Sequence, residues 1–283
     1  MSEFTSSTQV LIVGGGKMGE AILSGLLASQ QQPAAVLTAE NFLVADPGQE
    51  RRDYLQQTYG VRCVAQAQQA EAADVVILAV KPQVMMDVLA GMREQPAFAG
   101  GAAGPLFISI AAGMATNRLE AALPQDARVV RTMPNTPLMV AKGAVAVCPG
   151  SLVGPADVET VRSLFACLGL ACVVDESQMD AICAISGSGP AYVAHLVEVL
   201  RDAGVEQGLN AQLAQDMALQ MVYGTAALML ETGQSPEATR ISVCSPGGTT
   251  LAALDAMQEA GFDQVIFKGV DAAVKRGEEL GKL

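Results

Sequence analysis

The first 175 residues alternate between short apolar runs and segments in which apolar residues recur at helical spacing. Residues 73–82, ADVVILAVKP, contain a continuous apolar run of strand length, which is typical of a strand buried on both faces. This alternation predicts a parallel sheet with crossover helices. We expect strands within TQVLIV and within 41–47, 61–64, 73–82, 105–110, 127–134, 143–150 and 171–176. We expect helices after Gly19, after the second strand through Gln57, and at 84–92, 117–123 and 155–168.

From about Glu176 onward the strand signal disappears. Apolar residues between Val193 and Leu200 recur at helical spacing and predict an amphipathic helix that ends near Gly204. Residues 211–231 are apolar nearly all round, and such a helix must be buried on every side. A small helical domain hardly buries several such helices alone, so we expect a subunit interface and a dimer or higher homo-oligomer. The change of character predicts two domains, 1–175 and 176–283.

Composition narrows the class of protein. The chain is 51% hydrophobic and 16% charged, so disorder is not expected. The net charge of −12 gives no basic surface for nucleic acid or an anionic membrane, and we expect neither as a partner. The longest apolar stretches are interrupted by glycine and charged residues, so no membrane-spanning helix is predicted. A phosphate-bearing ligand must therefore be bound by local dipoles and a few placed cations.

The cysteines and the single histidine predict a protein that has no metal site and resides in a reducing compartment. None of the cysteines forms a C-x-x-C pair, and with one histidine no zinc pattern is present. Free thiols and an N-terminus without a positive segment predict a cytoplasmic protein without a signal peptide. The six cysteines are Cys63, Cys148, Cys167, Cys172, Cys183 and Cys244.

The strongest motif is the glycine loop VLIVGGGKMG, which has the pattern G-x-G-x-x-G at Gly14, Gly16 and Gly19. The first glycine permits a tight turn, the second lets a pyrophosphate approach the backbone, and the third allows close packing of helix and strand. The N-terminus of the helix that follows the loop offers amide donors and a partial positive charge to the phosphates, and Lys17 and Met18 of the loop are assigned to the cofactor with the glycines. The sequence therefore predicts an α/β fold with an N-terminal Rossmann-type dinucleotide-binding domain that holds NAD(H) or NADP(H), followed by a C-terminal all-helical dimerisation domain.

The choice between NAD(H) and NADP(H) stays open at this point. Asp46 ends the second strand, where a carboxylate can hold the ribose hydroxyls of NAD(H). Arg51 and Arg52 follow shortly and offer charge to the additional phosphate of NADP(H). Alternatively, the sequence Asp46–Pro47–Gly48 forms a plain turn with a helix cap.

A second unusual stretch, SPGGTT at 245–250, stands directly in front of an apolar helical run. Pro246 presets a turn, and the glycines expose their amides at the beginning of a helix, which is a suitable place for a small anion. The alternative is that Ser245 is an ordinary N-cap residue.

These stretches carry a resemblance to a known family. The segments VGGGKMGEAI, LAVKPQ, SIAAGM, VRTMPNTP, SGSGPAYV and SPGGTTLAAL occur in this order. With these motifs in this order, the chain resembles the pyrroline-5-carboxylate reductases, the last enzymes of proline biosynthesis. The resemblance extends from about residue 9 to residue 281. The resemblance implies NAD(P)H-dependent reduction of the cyclic imine 1-pyrroline-5-carboxylate to L-proline by hydride transfer to the imine carbon. A protonated imine is already electrophilic, which agrees with the absence of a catalytic histidine.

The resemblance also implies roles for the SPGGTT segment. The amides of Gly247, Gly248, Thr249 and Thr250, together with Ser245, are expected to bind the substrate carboxylate. The hydroxyl of Thr250 is expected near the ring nitrogen as the catalytic group, where it orients the imine or relays a proton.

Three further segments are implied to contact the cofactor. LAVKP resembles the family's cofactor-contacting turn, with a solvated lysine as the alternative for Lys81. The stiff MPNTP loop and the small AAG turn are suited to the nicotinamide pocket, with plain tight turns as the alternative. Gln66 stands where several relatives have an asparagine near the ribose, which leaves that contact open. The residues assigned are Ala79, Val80, Lys81, Pro82, Ala111, Ala112, Gly113 and Asn135.

Two other classes of protein compete with this interpretation. A β-hydroxyacid dehydrogenase also pairs a dinucleotide domain with a helical one, but it needs a lysine shortly after a glycine pair. Here Gly187 and Gly189 are followed by Val193, Ala194 and His195. An NAD(P)-sensing regulator would lack a substrate turn and carry a partner-binding module. His195 itself is expected on a helix surface or at an interface.

Overall fold

A computed structural model of the chain describes residues 4–30, 33–101 and 104–281. The outer ends of the two predicted domains, residues 1–3 and 282–283, lie outside the described residues. The strands are Val10–Val13 (β1), Phe42–Ala45 (β2), Arg62–Val64 (β3), Val75–Leu78 (β4), Leu106–Ser109 (β5), Arg128–Met133 (β6), Gly143–Pro149 (β7) and Gly169–Val173 (β8). The helices are Lys17–Ala28 (α1), Gln49–Tyr59 (α2), Pro82–Met92 (α3), Thr116–Ala122 (α4), Pro155–Ala166 (α5), Met179–Ile182 (α6), Gly189–Glu206 (α7), Ala211–Thr232 (α8), Pro236–Ser242 (α9), Thr249–Glu259 (α10) and Phe262–Gly281 (α11).

Within these described residues the eight strands form one sheet with the order β3-β2-β1-β4-β5-β6-β7-β8. The strands β1 to β6 pair in parallel, and β1 lies between β2 and β4. From β1 the chain first adds β2 and β3 on one side and then returns to add β4, β5 and β6 on the other side. This is the doubly wound order of the Rossmann fold. The predicted α/β class and the parallel sheet through β6 are confirmed.

Strand β7 departs from the predicted parallel sheet, because it pairs antiparallel with β6. Only a short 3-10 helix, Thr136–Val140, lies between these two strands. Parallel neighbours need a crossover of a dozen or more residues, so this short connection turns the chain back on itself. Strand β8 is parallel to β7 again, since α5 provides a crossover between them.

Side chains of the central strands alternate between two cores, one on each face of the sheet. In β4, Val75 and Ile77 belong to one core, and Val76 and Leu78 belong to the other. All four are fully buried, and each such side chain contributes about 1.5–3 kcal/mol of hydrophobic stabilisation. The expectation of a strand buried on both faces is confirmed.

The chain divides into two compact units. The first contains the residues up to Ser188 together with those from Ala273 onward, and the second is Gly189–Ala272. The predicted boundary after residue 175 lies earlier in the chain than this division, because α6 packs with the first unit. Met179 of α6 is fully buried in a cluster with Ala146 and Cys148 of β7.

The second unit consists of helices, as predicted. Helix α8 packs on α7 through small residues, and a Cβ on Gly204 would lie 3.0 Å from that of Ala214. The large apolar side chains of α8 stay uncovered in the single chain, with Met217 64%, Tyr223 63% and Leu230 85% exposed. The predicted helix at 211–231 therefore forms, and its apolar surface needs a partner.

Candidate functional site

A cavity of about 350 Å³ lies at the carboxyl edge of the sheet in the first unit. The loops that follow β1, β4, β5 and β6 line it, which is where open α/β sheets bind their ligands. Predicted cofactor residues in its lining are Gly16, Lys17, Met18, Ala79, Val80, Lys81, Pro82, Ala111, Ala112 and Asn135. Of the other predicted cofactor residues, Gly14, Gly19, Asp46, Arg51 and Gly113 are not part of this lining.

Glycine occupies the three positions of the loop for different reasons. Gly14 has φ +106°, and a Cβ there would lie 2.7 Å from the carbonyl oxygen of Ala79. A Cβ on Gly19 would lie 2.1 Å from the carbonyl oxygen of Gly14. At Gly16, by contrast, the Cβ position has no described atom within 4 Å other than those of Gly16 and its chain neighbours. The fold therefore requires the first and third glycines, whereas the second leaves space for a ligand.

Helix α1 presents an uncapped N-terminus to this space. Gly16 is the N-cap residue and provides no side-chain cap. The first N–H groups of a helix have no partner within it, so those at Lys17 and Met18 are available to an anion. The ammonium groups of Lys17 and Lys81 belong to exposed residues of the cavity lining. The arrangement fits the pyrophosphate of a dinucleotide.

Asp46 joins the glycine loop to the turn after β2. One carboxylate oxygen accepts a hydrogen bond from the N–H of Gly15, and the other accepts from the N–H of Gly48, each at 2.9 Å. Both carboxylate oxygens thus accept from backbone N–H groups, which agrees with the interpretation of Asp46–Pro47–Gly48 as a plain turn. The position beside the glycine loop is also the one from which an acid holds a ribose.

Arg51 is held beside the glycine loop by a cluster of side chains. Its guanidinium donates to the Gly15 carbonyl and to the Glu20 carboxylate, and it lies 4.9 Å from the ring centre of Tyr54. Glu20 also accepts from the hydroxyls of Tyr54 at 3.0 Å and Tyr59 at 2.8 Å. Arg51 is therefore fixed near the loop, and its guanidinium is paired with the Glu20 carboxylate.

Titration behaviour in this cluster follows from its contacts. Burial alone would raise the pKa of Glu20, but the bonds from Arg51 and the two tyrosines outweigh burial and lower the pKa below its usual value. Burial and the adjacent Glu20 carboxylate raise the pKa of Tyr59 to about 12. Around neutral pH Glu20 is ionised and Tyr59 is protonated, so the cluster keeps its hydrogen bonds.

Gly113 has a role in packing. It has φ +71°, and a Cβ there would lie 3.0 Å from the Cβ of Leu280 near the end of α11. The other two residues of this turn, Ala111 and Ala112, line the cavity. Their small side chains leave room for a flat ring.

The SPGGTT segment forms a type II turn in front of α10. The Gly248 N–H donates to the Ser245 carbonyl at 3.0 Å, with Pro246 at the second position and Gly247 at φ +71° at the third. Gly248 is the N-cap of α10 and gives no side-chain cap. Thr250 is half-buried in the first turn of the helix.

Two details differ from the sequence interpretation. Ser245 is not the N-cap residue of α10, because the turn places Gly248 at that position. The N–H of Gly248 is used inside the turn and is not available to a carboxylate. The N–H groups of Thr249, Thr250 and Leu251, in the first turn of α10, are the remaining helix donors. The turn therefore presents an uncapped helix N-terminus, as the glycine loop does.

Comparison with known proteins identifies the family. Residues 176–280 match the family model described as pyrroline-5-carboxylate reductase dimerisation, and residues 9–113 match the one described as NADP oxidoreductase, coenzyme F420-dependent. The pyrroline-5-carboxylate reductase of Synechocystis is 43% identical over 98% of this chain and 99% of its own length. The chain belongs to the pyrroline-5-carboxylate reductase family. The pyrroline-5-carboxylate reductase of Escherichia coli is 37% identical over 95% of this chain and 97% of its own length.

Solved structures of the family have the same fold. The pyrroline-5-carboxylate reductase of Coxiella burnetii is 32% identical and matches with a TM-score of 0.85, over 98% of this chain and 100% of that one. The Plasmodium falciparum pyrroline carboxylate reductase with NADP bound is 27% identical and matches with a TM-score of 0.84 over the same shares of the two chains. The resemblance that was seen in the sequence motifs is confirmed.

For a member of this family, the thiols and the single histidine lie outside the proposed chemistry. Burial and the neighbouring Glu176 carboxylate raise the pKa of Cys148 to about 12, so this thiol is protonated at neutral pH. His195 is exposed on α7, and its Nδ1 lies 3.1 Å from the Glu198 carboxylate on the same helix. This position agrees with the surface role expected for the histidine.

Sequence reasoning missed several residues in and around the candidate cofactor site. Glu20, Tyr54 and Tyr59 hold Arg51, and Gly187 lines the cavity. Glu20 stands within the quoted motif VGGGKMGEAI, one helical turn after Gly16, which was the available signal. The tyrosines come from α2, and no spacing in the sequence relates them to α1.

Cofactor preference in this family member is expected to depend on Asp46. Replacing Asp46 with serine removes a carboxylate beside the predicted ribose site, and the NADH-to-NADPH ratio of kcat/KM values should fall by about tenfold or more. Steady-state kinetics with both cofactors measures this ratio. Asp53→Ser is the control, since the Asp53 carboxylate accepts a hydrogen bond from Gln49 on its own helix, at 2.6 Å, and makes none to the glycine loop in the described part of the chain. An unchanged ratio in Asp46→Ser would show that the acid serves only the turn.

Proposed function

We propose that the glycine-loop cavity holds NAD(P)H and that the SPGGTT turn holds the imine substrate. The chain is a pyrroline-5-carboxylate reductase, an oxidoreductase that reduces 1-pyrroline-5-carboxylate to L-proline with NAD(P)H. The observation that carries the site assignment is a pair of glycine-rich turns that lead into helices. Helices α1, α2, α5 and α10 all begin at a glycine N-cap without a side-chain cap, but α1 and α10 also have a glycine in the left-handed region within the two residues before that N-cap, Gly14 and Gly247. One fits the phosphates of the cofactor, and the other fits the carboxylate of the substrate.

The chain's part in the reaction is binding and orientation. The N–H groups of Thr249 and Thr250 hold the substrate carboxylate at the positive end of α10. The hydroxyl of Thr250 hydrogen-bonds the ring nitrogen and fixes the direction of the C=N bond. Bound NAD(P)H supplies the hydride. The imine carbon gains the hydride, the nitrogen keeps its proton and the C=N electron pair, and the ring becomes the amine of proline.

An assay of imine-dependent cofactor oxidation tests the function directly. Purified protein with 1-pyrroline-5-carboxylate should oxidise NADH or NADPH with one proline formed per cofactor. A 2-hydroxy acid or 3-hydroxy acid with the oxidised cofactor should give no turnover, since a β-hydroxyacid dehydrogenase requires a lysine shortly after the glycine pair, and none follows Gly187 and Gly189 at that spacing. Turnover with the hydroxy acid and none with the imine would overturn the assignment.

The chain is a homo-oligomer that assembles through its helical region, which matches the family's dimerisation model. Sedimentation is expected to give at least a dimer. Leu230→Glu should shift the population towards monomer, because Leu230 is 85% exposed in the single chain and a charge there opposes burial. Leu152→Glu is the control, since Leu152 is 52% exposed but lies in the first unit. A stable, active wild-type monomer would contradict the prediction.

A cytoplasmic location is part of the proposal. Among the helices of the described residues, none has the length and apolarity that a membrane crossing requires. The described cysteines are free thiols, which is the usual state in a reducing compartment. Cell fractionation should recover the protein with cytoplasmic markers, and recovery with a secreted or membrane fraction would contradict this part.

A further inference from the structure

The side chain of Asn135 is engaged at both ends by the backbone of its own unit. Its Nδ2 donates to the Ser186 carbonyl at 3.0 Å, and its Oδ1 accepts from the Ala144 N–H at 2.9 Å. We call these two bonds the Asn135 bridge. The residue is only 8% exposed, so both bonds are shielded from water. With these two bonds made, the amide keeps one N–H and one oxygen lone pair, but both belong to a side chain that is almost fully buried and fixed by its backbone partners.

The Ser186 carbonyl lacks its usual α-helical donor for a reason that is visible in the sequence. In a continuing α-helix it would accept from the N–H four residues later, but that residue is Pro190, which has no N–H. The chain here forms a π-turn, Cys183–Gly187, in which the Ser188 N–H donates to the Cys183 carbonyl at 2.8 Å. Such turns are rare and frequently lie at functional sites. Asn135 supplies a donor in place of the missing one.

The residue after Ser186 belongs to the cofactor cavity. Gly187 lines the cavity together with Met133, which ends β6. A Cβ on Gly187 would lie 2.7 Å from the Cε of Met133, so the π-turn packs directly on this part of the wall. The Asn135 bridge therefore ties this wall to the loop after β6 and to the beginning of β7.

We infer that Asn135 is a positioning residue, whose bridge holds the Ser186–Gly187 wall of the cavity in place for the cofactor. Its side chain acts through this wall and does not contact the cofactor. The inference rests on the proposed cofactor role of the cavity. It revises the assignment of Asn135 as a cofactor-binding residue, because the geometry gives its amide two backbone partners.

The chain contains a matched control residue. Asn41 is also buried, and its amide donates to the carbonyls of Ser6 and Thr8 and accepts from the N–H of Thr38. It directly precedes β2, at the amino end of the strand and thus at the opposite edge of the sheet from the cavity. Asn41→Ala removes the same kind of bridge without touching the cavity.

The test compares Asn135→Ala with Asn41→Ala by amide hydrogen exchange of the cofactor-free protein and by titration with NADH and NADPH. Asn135→Ala should accelerate exchange in peptides covering 183–189 by about tenfold or more and raise the cofactor Kd by about tenfold or more. Asn41→Ala should leave both unchanged, whatever it does to Tm. The milder Asn135→Ser, which is too short to reach the Ser186 carbonyl, should give the same direction if the alanine variant does not fold.

Two outcomes would overturn the inference. A raised cofactor Kd with wild-type exchange at 183–189 would show that Asn135 contacts the cofactor directly. Faster exchange with an unchanged Kd would show that the bridge stabilises the fold without positioning the cavity wall. Failure of the proposed function is distinguishable, since it would appear as a wild-type protein that does not oxidise NAD(P)H with the imine, while the exchange measurement needs neither cofactor nor substrate.

Discussion

Replacing Gly16 with valine is expected to lower kcat/KM for NADH and NADPH by about 100-fold or more while the protein stays folded. Gly16 has φ −65°, which any residue adopts, and among the described residues none besides its chain neighbours has an atom within 4 Å of its Cβ position. The added side chain therefore meets space in this protein and occupies the path of the pyrophosphate when the cofactor binds. The loss of a glycine N-cap costs about 1 kcal/mol or less. Cofactor titration and thermal unfolding measure the two effects separately.

The neighbouring glycines provide the contrast for this prediction. Gly19→Val puts a side chain where the Cβ alone would lie 2.1 Å from the Gly14 carbonyl oxygen, so this variant should lose stability. The same chemical change thus damages the fold at one position and the ligand site at the other. A folded Gly16→Val protein with wild-type affinity for NAD(P)H would rule out the glycine loop as the cofactor site.

Thr250→Val is expected to lower kcat/KM for the imine by about 10- to 150-fold, with NAD(P)H affinity near the wild-type value. Valine keeps the shape of threonine but cannot hydrogen-bond the ring nitrogen, and a bond to a charged group is worth roughly 1.5–3 kcal/mol. The residue is half-buried, and its N–H at the start of α10 is unaffected by the change. Steady-state kinetics on the folded variant measures the effect.

Thr250→Ser is the matched control, because it keeps the hydroxyl and removes only the methyl group. Its activity should stay much closer to that of the wild type than the activity of the valine variant. If kcat/KM of Thr250→Val stays within about twofold of wild type, the hydroxyl has no part in turnover and Thr250 is only a residue at the helix start.

Much of the fold was predictable because its signals are local. Runs such as 73–82 are long enough and apolar enough to specify a buried strand, and the glycine loop marks the first strand and helix together. The direction of β7 was not predictable from strand signals. It depends on the length of the connection after Met133, where a short 3-10 helix replaces a crossover helix.

In the candidate site, too, local features were predictable from the sequence and contacts between distant segments were not. The backbone parts were predictable, since Gly16 and the SPGGTT segment have sequence patterns with a geometric reason. Side-chain partnerships between distant segments were not, because no spacing connects Glu20 with Tyr59 or Asn135 with Ser186. The use of the Gly248 N–H inside its own turn also needed the structure, since the same residues fit an N-cap at Ser245.

Hydride transfer from the cofactor to the imine carbon is the central claim, and isotope transfer tests it most directly. The wild-type protein is supplied with 1-pyrroline-5-carboxylate and, in separate reactions, with two labelled forms of NAD(P)H. Each form carries deuterium in place of one of the two hydrogens on C4 of the nicotinamide ring, and the proline is analysed by mass spectrometry and NMR. One of the two cofactors should give proline with a single deuterium at C5, the former imine carbon, and the other should give none. Proline without deuterium from both, or deuterium at another carbon, would contradict the account.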